Sequence, residues 1–215
     1  MAHYPVMVGV PDDPGQNRLW GIPILGWIVR AIVLIPQAIV LALLGLVVYV
    51  SFLVNWIPIL LNGRPASWMV QLYGGYLRMT ARCSLYLLMV TGTYPPFWIT
   101  GDHPIGVEVS ANQAVNRWWG IPIVGVFVRW LILLPHLIVI GFLGIAAWFV
   151  SLVAWAPILI NGRQADVIVR FFGGIYRWTT RAAAYGLFLT DRYPPFSLDG
   201  DPSAVSSPDP AAARV

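Results

Sequence analysis

Apolar side chains in this chain run in long unbroken stretches set apart by short polar joints, and the same order of stretches and joints occurs twice. The first stretch, 31–61, carries no charged residue. Coiled as a helix at about 1.5 Å per residue, it exceeds the hydrocarbon core of a bilayer, which is about 30 Å thick. It ends at Asn62-Gly63-Arg64, where Asn and Gly supply a helix stop and a turn. A second helix is predicted from about Ser67 to Thr91. Tyr94-Pro95-Pro96-Phe97 closes it, because consecutive prolines cannot continue a helix.

The duplication has no gap at an offset of 99 residues. Asn17-Arg18 falls on Asn116-Arg117, and Trp20-Gly21-Ile22-Pro23-Ile24 on Trp119-Gly120-Ile121-Pro122-Ile123. Arg30, Pro36 and Trp56 meet Arg129, Pro135 and Trp155, and the turn recurs as Asn161-Gly162-Arg163. Gly74-Gly75, Arg78, Arg82 and Tyr86 meet Gly173-Gly174, Arg177, Arg181 and Tyr185, and Tyr94-Pro95-Pro96-Phe97 meets Tyr193-Pro194-Pro195-Phe196. Chance does not produce such agreement.

The pattern predicts an all-α integral membrane protein of two tandem, pseudo-symmetric helical-hairpin units, about four membrane helices in all. Short extended segments (5–10 and 105–109) lie beside them on the cytoplasmic side. The units are 1–100 and 101–199; the tail 200–215, small, polar and proline-rich, is expected to be disordered. Pro36 and Pro135 predict a kink or break in each first helix, and Pro58 and Pro157 a bend near its far end. Trp20, Trp56, Trp119 and Trp155 flank the apolar runs as interface anchors. A Gly-Asp-His-Pro turn signal between 97–100 and 105–109 predicts a short hairpin, with a second copy where 196–199 meets 6–10.

Composition sharpens this picture. The chain is 58% hydrophobic and 10% charged, where a soluble domain is nearer half apolar and a quarter charged. Its basic residues are all arginine, and they flank or interrupt apolar runs without forming a basic tract, so nucleic acid is set aside. A single cysteine, Cys83, excludes an internal disulfide and a cysteine-based zinc site. Nothing near the N-terminus reads as a signal peptide, so the first apolar run is expected to stay as a membrane helix. Two spans per unit make the units parallel and place both termini on one side, with Arg18, Arg30, Arg117, Arg129, Arg192 and Arg214. Arg64 and Arg163 lie on the other, with Arg170 near a helix start. The positive excess predicts cytoplasmic termini.

The most informative chemistry is a stripe on each second helix. Gln71, Gly75, Arg78, Arg82 and Tyr86 follow at four, three, four and four residues, which places them on one face; Arg170, Gly174, Arg177, Arg181 and Tyr185 repeat it. An arginine at the centre of a membrane helix costs about 2.5–3.5 kcal/mol on insertion scales. No carboxylate lies within either apolar stretch, so these charges call for an anion from outside, and lipid phosphate is the abundant one. The plain reading is an interfacial face that anchors a half-submerged helix by snorkelling. The sharper one is a headgroup site built from Arg78, Arg82, Tyr86, Arg170, Arg177, Arg181 and Tyr185, or a docking surface for an acidic partner.

Other candidates are weaker. Asp102-His103 resembles an acid–base pair, but Asp201 at the matching position is followed by Pro202, so a surface turn is expected. His136 has Gln37 as its counterpart and no second ligand at metal spacing, and reads as a packed residue. The double glycines lack the lysine of a phosphate loop and suit close helix packing. No nucleophile–base pair converges, so neither a catalytic residue, a metal nor a cofactor is assigned.

The segments Leu133-Leu134-Pro135-His136-Leu137-Ile138-Val139, Asn161-Gly162-Arg163 and Asp191-Arg192-Tyr193-Pro194-Pro195-Phe196-Ser197-Leu198 resemble a bacterial membrane family catalogued as domain of unknown function 4389. The first unit keeps that frame with Gln37 for His136 and Gly92-Thr93 for Asp191-Arg192. The resemblance implies a multi-pass protein of the bacterial inner membrane and no established activity. The expectation is therefore a non-catalytic membrane protein, binding anionic lipid or serving as accessory subunit or scaffold of a membrane assembly. The rival is a small anion transporter or channel acting as a homo-oligomer.

Overall fold

The computed structural model describes residues 4–10, 15–99, 103–110 and 114–199. The tail 200–215, with Thr100, Asp102 and Asp201, lies outside them. Strand β1 is Val6–Gly9; a 3-10 turn, Arg18–Gly21, leads to helices α1 (Leu25–Val33), α2 (Ile35–Val54), α3 (Trp56–Asn62) and α4 (Ser67–Leu87). The second unit repeats the order with β2 (Gly106–Val109), a turn at Arg117–Gly120, then α5 (Val124–Ser151), α6 (Trp155–Asn161) and α7 (Asp166–Gly186).

Local chemistry sets most of these boundaries. Proline disfavours helical backbone in the residue before it and cannot donate inside a helix. The first unit breaks at Leu34, two residues ahead of Pro36, which falls in the first turn of α2 where no N–H is needed, whereas α5 carries Pro135 within an unbroken run. Gly63 (φ 64°) and Gly162 (φ 71°) take the left-handed conformation that ends α3 and α6, as the Asn-Gly-Arg turns predict. The second helices stop earlier than expected, at Leu87 and Gly186. Met89 (φ 61°) and Phe188 (φ 63°) turn left-handed there, and Val90 and Leu189 donate back to the carbonyls of Leu85 and Ala184. A side chain in that conformation costs about 1–2 kcal/mol; here it is offset by burial of the Met and Phe side chains.

The units do not lie parallel. Each α2 or α5 runs antiparallel along its own second helix, with Ser51 at Tyr73, Gly45 at Tyr76 and Leu34 packed against Met79, Cys83 and Tyr86. From the end of α4 the chain turns back along it, so that Ile105 lies at Arg82, Val107 at Arg78 and Val109 over Gly74. The second unit therefore begins at the opposite end of the hairpin. As a result α3 packs on the second unit's 3-10 turn and α6 on the first unit's. Arg18 lies against Gly162 and Arg117 against Gly63, so the expected division of arginines between two sides does not hold.

The predicted hairpin is also replaced. β1 pairs antiparallel with β2, Val6 with Val109 through Gly9 with Gly106. Val8 faces Val107, its own counterpart in the repeat. Segment 97–99 is held on α4 instead: Ile99 presses on Gly75, where no Cβ fits, and its carbonyl accepts from Arg78 at 3.1 Å. Three layers result. The strands lie on α4 and α7, which pack on each other, and α2 and α5 lie on those two helices. The main core joins Leu77, Ala81, Leu85, Val107, Phe172 and Ala184 across both units.

Glycine contacts make the cross-unit packing testable. A Cβ on Gly120 falls 2.6 Å from the backbone nitrogen of Leu60, which cannot give way, so Gly120→Ala is expected to lose about 1–3 kcal/mol of stability in detergent unfolding. Gly144 has nothing within 4 Å, and Gly144→Ala is expected to gain about 0.5–1 kcal/mol from helix propensity.

Candidate functional site

Two stretches, Ile35–Val54 and Val124–Asn161, are long and apolar enough to cross a membrane. Of the most apolar 18 residues in each, 17% and 6% are buried. Only a thin stripe of α2 (Gln37, Val48, Ser51) and of α5 (Gly125, Arg129, Leu133, His136) is buried. Leu43, Leu46, Val50, Phe142, Ile145 and Trp148 are exposed on their free faces. A contiguous apolar surface of this size marks a protein–protein or membrane contact.

Arg30 and Arg129 sit at the root of each first helix and are fully buried. The Arg30 guanidinium lies 4.7 Å from the Tyr86 ring and 5.3 Å from Trp20. It donates to the carbonyls of Tyr86 (2.7 Å) and Thr91 (2.8 Å) and to Gln16 Oε1. Arg129 stands between Tyr185 (4.0 Å), Phe188 (4.6 Å) and Trp119 (5.3 Å). It pairs with Asp191 at 3.0 Å and donates to the Thr190 carbonyl. Arg30 thus meets the last turn of α4, Arg129 meets the segment that follows α7, and both lie against aromatic faces. This constellation was missed in the sequence, although Trp20 and Arg30 recur at the same spacing as Trp119 and Arg129. It also gives Tyr86, Tyr185, Trp20 and Trp119 a place as cage walls.

The stripe arginines face the strands. Arg78 donates to the Val107 carbonyl through Nε (3.0 Å) and Nη2 (2.8 Å), and Arg82 donates to that of Ile105 (3.0 Å). Arg177 reaches the Val8 carbonyl (3.2 Å), the repeat counterpart of Val107, and Arg181 the Ser197 carbonyl. The bonds from Arg78 and Arg177 satisfy outer-edge carbonyls that the two-stranded ladder leaves open, and those from Arg82 and Arg181 satisfy carbonyls of the extended segments outside it. Arg170 is exposed at the start of α7. Spacing placed these seven residues on one face of each second helix; the fold divides them among strand edge, cage, loop contact and surface.

Arg18, Arg64, Arg117 and Arg163 are exposed cations at the apolar helix ends, and Arg192 is exposed beside the root of α5. Beside them, Pro23-Ile24-Leu25 and Pro122-Ile123-Val124 form tight three-residue turns, with Leu25 and Val124 donating to the proline carbonyls. Ile24 (φ 62°) and Ile123 (φ 64°) are strained there, a geometry that costs about 1–3 kcal/mol, and their side chains point outward at 76% and 82% exposure. Trp56 and Trp155 are half-buried, and Trp118, Trp98, Trp27 and Trp130 are exposed.

Remaining candidates are packed. His136 Nδ1 accepts from Trp178 Nε1 at 2.8 Å and the ring stacks on Phe196; Gln37 donates to the Pro96 carbonyl at 2.6 Å. Each ties a long helix to a Tyr-Pro-Pro-Phe segment. Cys83 is a buried free thiol. His103 Nδ1 accepts from the Ile105 amide (3.1 Å) while Nε2 reaches the Thr93 carbonyl (3.3 Å), and burial holds its pKa below the usual histidine value. Among the described residues, no group of three or more His, Cys, Asp or Glu is placed to hold a metal ion.

A family model described as a domain of unknown function (DUF4389) matches residues 25–99 and again 124–197. No curated protein and no solved structure matches.

Two variants probe this geometry. Asp191→Asn leaves the Arg129 cation without its carboxylate and is expected to cost about 2–3 kcal/mol in detergent unfolding. That is below the about 3–5 kcal/mol of a fully buried pair, since Asp191 is 29% exposed. His103 has a folded pKa below its unfolded one, so the unfolded chain takes up the proton first and stability falls as pH drops below the ordinary value of 6.5. His103→Asn is expected to flatten that acid limb of a stability–pH profile.

Proposed function

The chain belongs to the DUF4389 family in two tandem copies, and on that premise we propose that it is a non-catalytic integral membrane protein that holds anionic lipid around a rigid two-unit body. The observation that carries this reading is the near-complete exposure of two long apolar helices whose ends carry Arg18, Arg64, Arg117 and Arg163. Acyl chains cover the helices and headgroup phosphates meet the guanidinium groups, each favourable by about 1 kcal/mol near an anionic surface. Exposed Trp27, Trp98, Trp118 and Trp130 suit the interfacial layer in which indole rings settle.

The headgroup role falls to these four helix-end arginines more naturally than to the second-helix stripe. Arg78, Arg82, Arg177 and Arg181 have main-chain carbonyls as acceptors. The same contacts argue against an anion pathway lined by the stripe. An approximate two-fold axis through the Val8–Val107 pair, which the strand register supports, makes both units present the same apolar surface. A body of this shape serves as a lipid-embedded scaffold or accessory subunit.

Lipid analysis of the purified protein tests the reading. Replacing Arg18, Arg64, Arg117 and Arg163 together with Gln is expected to abolish enrichment of anionic over zwitterionic lipid in native mass spectra, with helicity unchanged. Arg78→Gln with Arg177→Gln is expected to lower stability and leave that enrichment in place. Unchanged anionic enrichment in the folded fourfold variant removes the headgroup role.

A further inference from the structure

Length and composition permit α2 and α5–α6 to cross a bilayer, but the position of the strands decides otherwise. Because α2 and α4 run antiparallel side by side, their middles are level: Gly45 sits at the Tyr76 ring, two residues from Arg78. Arg78 in turn holds Val107, so the exposed Glu108 stands level with the midpoint of α2, on the far side of α4. Were α2 upright in a bilayer, Glu108 and the edges of a two-stranded ladder would lie at the hydrocarbon midplane. A charge at that depth is costly, and lipid-exposed sheet edges are not tolerated there.

We infer that the protein seats in a single leaflet of an anionic membrane, with α2 and α5–α6 lying in the membrane plane and the strand pair raised toward water. The inference rests on the lipid reading above and fixes its geometry. α4 and α7 separate the strands from α2 and α5, so one broad face is apolar and the opposite face carries Glu108. The head-to-tail arrangement sets Arg18 against Gly162, next to Arg163, and Arg117 against Gly63, next to Arg64. With the long helices in plane, both pairs reach the same headgroup layer from opposite ends of the apolar face. With the helices upright, the two pairs fall on opposite sides of the bilayer. The strained turns agree: each holds an exposed isoleucine, Ile24 or Ile123, beside an arginine corner, where it enters the acyl layer of the same leaflet. The approximate two-fold axis then runs along the membrane normal and both units make the same contact.

Single-cysteine labelling tests this in the full chain. On a Cys83→Ala background, Arg18→Cys, Arg64→Cys, Arg117→Cys, Arg163→Cys and Glu108→Cys are each treated with a membrane-impermeant maleimide, in intact spheroplasts and in inverted vesicles of an expression host. All five are expected to label from one and the same side and to be protected from the other. Labelling of Arg18→Cys and Arg163→Cys from one side and of Arg64→Cys and Arg117→Cys from the other overturns the single-leaflet geometry while leaving the lipid reading standing. Release of the unmodified protein from the membrane pellet by alkaline carbonate overturns the lipid reading itself.

Discussion

Arg30, Arg78, Arg82 and their repeat counterparts Arg129, Arg177 and Arg181 carry guanidinium groups into the body of the protein, where each donates to main-chain carbonyls. The contacts are of two kinds. Arg30 fastens the root of its long helix to the C-terminal turn of α4, where aligned peptide dipoles favour a cation, and Arg129 fastens its own to the segment just after α7. The others fasten strand segments or the Tyr-Pro-Pro-Phe tail to α4 and α7. Without those donors, extended backbone laid on an apolar helix would leave its outer carbonyls unsatisfied, an arrangement native proteins avoid. Charge in this chain therefore serves first to make irregular backbone compatible with greasy surroundings.

The same strands explain why the two units form one body. β2 returns along α4 and delivers the chain to the far end of the hairpin, so the second unit starts where the first long helix finishes. Each 3-10 turn then packs on the closing helix of the other unit at glycines that admit no Cβ, Gly21 and Gly120. The repeat boundary near residue 100 divides the sequence, but the main core runs across it.

The proposed membrane role follows from how little of α2 and α5 this body covers. One stripe of each is packed and the rest of the circumference is apolar and open. Arginines at the corners and a polar strand layer on the opposite face give the body two sides of different character. Sidedness of that kind matches one leaflet better than a slab with water on both faces.

Much of this was legible in the residues. The 99-residue repeat, the long apolar helices, the glycine-ended turns and the membership of a family with two copies all rest on local chemistry that one sequence records. Gly63 and Gly162 announce a left-handed stop because only glycine takes it without strain. Met89 and Phe188 take the same conformation with no such residue to announce it, since packing around the helix ends offsets the strain. Spacing placed Arg78, Arg82, Arg177 and Arg181 on one face, yet could not say what that face meets. The acceptors lie on strand and loop segments 16 to 169 residues away. Local pattern likewise predicted a hairpin at 97–109 and parallel units. Both depended on where segments distant in sequence would dock, and the contact of Ile99 with Gly75 and the pairing of Val8 with Val107 settled them. The sequence by itself determined which segments are helical, which are apolar and that everything occurs twice, because helix stops and burial preferences act within a few residues. Only the tertiary structure decided how the copies are oriented and which groups satisfy the buried arginines, because those are bonds between distant segments with no local cause.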